Sequence, residues 1–79
     1  MDNSLIIERD SIPKNTIYYI SGCIIAILRR EQYDVDNLFE KICDEFNESL
    51  EFTNFILSLD FLFLINKIDI SEKGILRCI

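Results

Sequence analysis

Three cysteines and two closely spaced aspartates are the residues in this chain whose types could do chemistry. Cys23, Cys43 and Cys78 could serve as nucleophiles, metal ligands or disulfide partners. They are odd in number, widely spaced and form no C-x-x-C pair, and there is no histidine to complete a zinc site. Free cysteine is among the most buried residue types, so three reduced, mostly buried thiols are expected. Asp34 and Asp36 could suggest a metal pair, but they precede a helical pattern, where capping and turn formation account for both. A glycine-rich phosphate loop, a nucleophile elbow and a metal-spaced acid cluster are all missing from the sequence. The sequence therefore assigns no catalytic, cofactor-binding or metal-binding residue, and the expectation is a protein that is not an enzyme.

With little chemistry to place, composition becomes the informative quantity. Ile, Leu, Val and Phe fill 31 of 79 positions. A domain of this size buries only about 60% of the surface that its unfolded chain exposes, so the apolar supply exceeds what one small core can hide. A surplus of this kind on a soluble protein marks a partner site, which predicts an obligate subunit. Net charge is −6, from 14 acids against 8 bases. That balance opposes general binding to nucleic acid or to an anionic membrane, both of which require positive potential. Between Lys41 and Lys67 there is no base at all, while Asp44, Glu45, Glu48, Glu51 and Asp60 fall there. The apolar tracts over residues 17–28 and 55–65 fall short of the roughly 20 residues that span a bilayer, and the first residues lack the pattern of a signal peptide. A soluble, cytoplasmic protein is expected.

The elements follow from periodicity. Residues 1–14 read as an extended arm, with a strand over residues 5–8 and a turn at Pro13. Asn15 or Thr16 can cap a first helix running to about Glu31, with Ile17, Ile20, Ile24, Ile27 and Leu28 facing the core. Gly22 and Ala26 make a strip where a helix of this domain or of another chain could approach. Tyr18 and Tyr19 are adjacent and cannot both point inward, so one of them is expected on the surface as an interface anchor. A short extended piece leads to a second helix capped by Asp34 or Asp36, with Leu38, Phe39, Ile42 and Phe46 on its apolar face. Taking Thr53 as N-cap, the third helix is apolar around nearly its whole circumference, apart from a strip at Asp60 and Lys67. Two short helices cannot cover such a cylinder, so it should be central to its own fold and touch another chain as well. Asp60 is then either solvated or aimed at a partner. The tail KIDISEKGILRCI predicts a hairpin with Gly74 in the left-handed position. That register pairs Ile70 with Leu76 and Ile68 with Cys78, and sets Asp69 opposite Arg77.

The fold class predicted is mainly α with a C-terminal β-hairpin: a single winged helix-turn-helix-like domain over residues 1–79, with three helices in 15–66 and the hairpin in 67–79. A DNA-reading third helix would offer polar and basic side chains to the major groove, whereas this one offers Phe, Ile and Leu. The wing sets Asp69 and Glu72 against Lys73 and Arg77 and is electrically neutral. Sequence-specific DNA binding by this chain alone is not expected, and protein contact is.

The segments IPKNTIYYISGCIIAIL and FTNFILSLDFLFLINKIDI resemble the small middle components of bacterial ABC three-component systems, the class to which Lamassu anti-phage systems belong. The resemblance covers residues 12–77. Its most specific part runs from the third helix through the hairpin, where the pattern L-x-L-D-[FL]-L-[FY] stands as residues 57–63 and includes Asp60. One departure precedes the first wing strand, where the family pattern Gly-Ala-Ile is replaced by Asn66, Lys67 and Ile68. The resemblance implies a winged-helix adaptor that couples an SMC- or Rad50-like ABC ATPase to an effector such as a nuclease. DNA of an invading phage or plasmid would be sensed by the ATPase and would reach this subunit only through the complex.

The residues expected at the partner interface are Tyr18 or Tyr19, Asp60, Phe61, Phe63 and Leu64 on the outer side of the third helix, the N-terminal arm, and Ile79. Two other readings fit the composition. A small acidic antitoxin-like inhibitor would neutralise a basic partner protein, and a winged-helix regulator would bind its own promoter. Neighbouring genes separate the three: an ATPase, a toxin, or neither.

Overall fold

The computed structural model describes residues 16–79. Helix α1 spans Ile17–Leu28, strand β1 Tyr33–Asp34, helix α2 Val35–Glu45, helix α3 Phe52–Leu64, strand β2 Ile68–Ile70 and strand β3 Ile75–Cys78. The fold is mainly helical and winged-helix-like in its element order, with three helices and a small antiparallel sheet that joins β1 to the C-terminal hairpin. The N-terminal arm and its proposed strand lie outside the described residues.

Each helix has a local reason for its boundaries. Thr16 caps α1, its hydroxyl accepting from the Tyr19 amide at 3.2 Å. Ile20, Cys23, Ile24, Ile27 and Leu28 recur at helical spacing and are buried, but Ile17, expected inside, lies in the first turn and is 36% exposed. The regular helix ends at Leu28 rather than near Glu31, because Arg30 and Glu31 both donate to the Ile27 carbonyl and close a tighter turn. For α2 the capping position is Asp34, and Leu38 and Ile42 are buried with Phe39 and Phe46 half-buried beside them. Helix α3 begins at Phe52 with Glu51 at the cap, so the expected Thr53 cap is incorrect. Phe52 enters the helix because its ring packs 5.1 Å from Phe39 and 5.8 Å from Phe55, and this aromatic packing overrides a hydroxyl's preference for the cap.

The end of α3 explains the departure before the wing. Asn66 has φ of 59°, in the left-handed region. Its amide donates to the Phe63 carbonyl at 3.1 Å, and the Lys67 amide donates to Leu62 at 2.9 Å. These two bonds are a Schellman cap, which wants glycine or, next best, asparagine at this position. Asn66 therefore fills a glycine role.

The hairpin takes the expected register: Ile68 opposite Cys78, Asp69 opposite Arg77, Ile70 opposite Leu76. Gly74 has φ of 82° and donates to the Ser71 carbonyl at 2.9 Å, closing the turn. Arg77 reaches Asp69 at 2.9 Å. What had read only as an extended piece, Tyr33–Asp34, pairs with β3 through Tyr33 opposite Leu76 and Asp34 opposite Ile75. The sheet order is β1-β3-β2.

The core lies where α1 packs on α3, closed below by α2 and at one end by the sheet. Phe55, Ile24, Ile27, Leu38 and Leu76 are fully buried, as is Ser58, whose hydroxyl donates to the carbonyl of Asn54 at 2.8 Å. That bond satisfies a polar group which would otherwise be costly inside.

Candidate partner interface

At 100° per residue, Phe55, Ser58, Leu59 and Leu62 point into the core, Leu57, Asp60 and Leu64 point away from it, and Phe61 lies between, half-buried at the core's edge. Leu64 is 82% exposed and Leu57 46%. The spacing i, i+4, i+7 from Leu57 through Phe61 to Leu64 makes a continuous apolar ridge, with the Asp60 carboxylate beside it. The Schellman turn at Asn66 stops the helix directly after this ridge and sends the chain back into β2. Leu64 is thereby left at an uncovered end.

Helix α1 extends the surface. Tyr18 is 74% exposed and meets the half-buried Phe61 ring edge-on, with centroids 6.2 Å apart. Tyr19 turns inward beside Cys23, so of the adjacent pair Tyr18 is the surface residue. Burial pushes both the Tyr19 phenol and the Cys23 thiol up from their ordinary values. Gly22 and Ala26 are exposed, and a Cβ added at Gly22 would meet no atom within 4 Å.

The structure thus brings Tyr18, Asp60, Phe61 and Leu64 together on one face. It separates Phe63, which sits roughly 120° round α3 from Leu57 and is half-buried against the core. Ile79, 73% exposed, lies across a groove from the ridge, beside Ile65. Sequence reasoning missed Leu57 and Ile65, although the spacing of Leu57 to Phe61 and Leu64 carried the signal for the first.

The ion pairs lie away from this face. Glu45 is held by Arg30 at 2.9 Å and Lys41 at 3.0 Å, and Asp69 is held by Arg77. These hydrogen-bonded cations keep both carboxyls below their usual range. Asp60 has no ion pair among the described residues.

The remaining chemistry is sparse. All three cysteines are free, Cys23 buried and the other two half-buried. Burial raises the Cys43 thiol, and the neighbouring Asp44 and Glu40 carboxylates raise it further, which favours the unreactive neutral form. Among the described residues no three potential metal ligands cluster, and no helix is long and apolar enough to cross a membrane. One concavity, about 690 Å³ along residues 43–49, is an open trough following the turn between α2 and α3, away from the ridge.

No curated protein and no solved structure matches the chain. A family model does match, over residues 7–78, and it describes Middle Component 6 of the ABC-three component systems.

Proposed function

The chain belongs to the Middle Component 6 family of ABC-three component systems, and from that premise we propose that it is a non-enzymatic adaptor, holding an SMC- or Rad50-like ABC ATPase to an effector in a bacterial anti-phage or anti-plasmid complex of the Lamassu type. The supporting observation is the ridge on α3. A helix whose inner face already supplies Phe55, Leu59 and Leu62 to the core keeps Leu57 and Leu64 exposed on its outer face. In a free monomer that arrangement leaves apolar area in water with nothing gained, and in a subunit it is the contact. Tyr18 adds an aromatic anchor, of the kind that dominates binding energy at interfaces.

Reading of DNA by this chain alone is not part of the proposal. In the recognition position of a winged helix, α3 presents Leu57, Asp60 and Leu64. Setting these against phosphate would bury apolar groups at a charged surface and bring an acid near an anion. The Asp69–Arg77 pair uses the wing's arginine internally.

The test is co-expression with the proteins encoded beside it, followed by affinity capture through this subunit. The wild-type chain should retain an ABC ATPase and an effector, and Leu64→Glu should release one of them. A wild-type chain that stays monomeric and retains neither would refute the adaptor reading.

A further inference from the structure

Beside the α3 ridge runs a groove of about 330 Å³ between α1 and the C-terminal end of α3, with the end of β3 as its third wall. Its apolar lining includes Ile25, Ile65 and Ile79. Ile65 is 44% exposed and Ile79 73%. Gly22 lines the groove too and leaves open space where a side chain would stand.

Charge in this groove runs against the rest of the chain. Arg29 and Lys67 line it, and neither has an ion pair among the described residues. Arg30, Lys41 and Arg77 are neutralised by acids elsewhere and Lys73, unpaired among the described residues, stands apart at the hairpin turn, on a chain carrying 14 acids and 8 bases. A position just past a helix C-terminus favours a cation near each helix end. It does not explain why two unpaired cations share one apolar groove.

A third observation is independent of charge. Ser21 lines the same groove and is 5% exposed, and its Oγ is the buried side-chain polar atom left without a hydrogen-bond partner among the described residues. Ser58, the other buried serine, is satisfied by its own helix. Two exposed, unpaired cations and one buried hydroxyl without a partner thus stand around one groove, and all three can donate to an acceptor.

We propose that this groove is a second docking surface, taking a partner-protein segment that carries apolar side chains together with at least one Asp or Glu. The inference rests on the adaptor reading and deepens it. The ridge at Leu57 and Leu64 and the groove at Arg29 and Lys67 have different charge signatures, and so they select different segments. The apolar side chains fill the space by Ile25, Ile65 and Ile79, and the carboxylate meets Arg29 and Lys67. The open position at Gly22 admits the segment's backbone closely.

The test uses the chain co-expressed with the proteins encoded beside it, with affinities measured at about 50 and about 300 mM NaCl, where screening differs strongly. Reversing both charges, Arg29→Glu with Lys67→Glu, should weaken one partner by about tenfold or more at low salt. The wild-type affinity for that partner should fall with added salt and the variant's should not. Ile79→Asp should weaken the same partner, and Leu64→Ala should spare it. A zero-length carbodiimide cross-linker should join Lys67 to an Asp or Glu of that partner. A folded double-reversal variant that keeps every affinity within about twofold of wild type overturns the groove assignment and leaves the adaptor reading standing. Capture of a DNA duplex, abolished by the double reversal, would assign the cations to phosphate and overturn it as well. A wild-type chain that binds no co-encoded protein sinks both readings together.

Discussion

Leu64→Ala separates folding from binding more sharply than any other substitution in this chain. Fully burying a leucine side chain is worth about 1.5–3 kcal/mol. With Leu64 82% exposed in the free chain, about four-fifths of that, or roughly 1.2–2.5 kcal/mol, is left for a partner to realise. The substitution should therefore weaken the complex by up to roughly eightfold to seventyfold. Folding should barely notice, because a surface substitution is usually worth no more than about 0.5 kcal/mol and alanine is the better helix former. The contrast is Leu62, two residues earlier on the same helix and 3% exposed, where alanine should cost about 2–5 kcal/mol of stability. Thermal melts of the isolated variants and titration calorimetry against the co-encoded ATPase and effector read both quantities. If Leu64→Ala melted several degrees low while every affinity stayed within about twofold of wild type, the residue would be structural and the ridge would lose its role.

Further outcomes follow from the same geometry. Asn66→Gly should hold or raise the melting temperature, whereas Asn66→Val, forced to a φ of 59°, should cost about 1–2 kcal/mol, several degrees in a chain of this size. Phe55→Ala empties the centre of the aromatic cluster with Phe39 and Phe52 and should cost about 3–5 kcal/mol, leaving the chain largely unfolded by circular dichroism. Glu45 and Asp69 have folded-state pKa values held below their unfolded values by hydrogen-bonded cations. The stability they confer is thus present above the unfolded carboxylate range and is lost as pH falls through the folded values. Melting temperature should drop on acidification, and Glu45→Gln should flatten part of that drop; a profile for Glu45→Gln as steep as wild type would show the Arg30 and Lys41 contacts to be immaterial.

Local patterns were legible in the sequence where neighbouring residues fix the outcome. The hairpin register could be read because turn chemistry at Gly74, apolar alternation and the Asp69–Arg77 pairing all lie within a dozen residues and agree. Helix α2 was legible for a similar reason, since its apolar and polar faces are segregated along its length. The N-cap of α3 was misread because the preference of Thr53 for a cap is weak beside the packing of Phe52 against Phe39, a residue on another helix. Strand β1 showed no alternation because it is two residues long, and it exists as a strand only through its bonds to β3.

Composition by itself determined that this chain carries more apolar surface than a small core can cover, and local periodicity determined three helices followed by a hairpin. Which apolar residues stay outside was decided only by the tertiary fold. A helix that is apolar all round has no preferred inner face of its own. The orientation of α3 was set by the packing of Phe55, Leu59 and Leu62 against α1 and α2. That choice took Ser58 inside, where its own helix satisfies it, and left Leu57 and Leu64 in water. The groove carrying Arg29 and Lys67 arises from the same docking, since its walls come from three elements that meet only once the chain has folded.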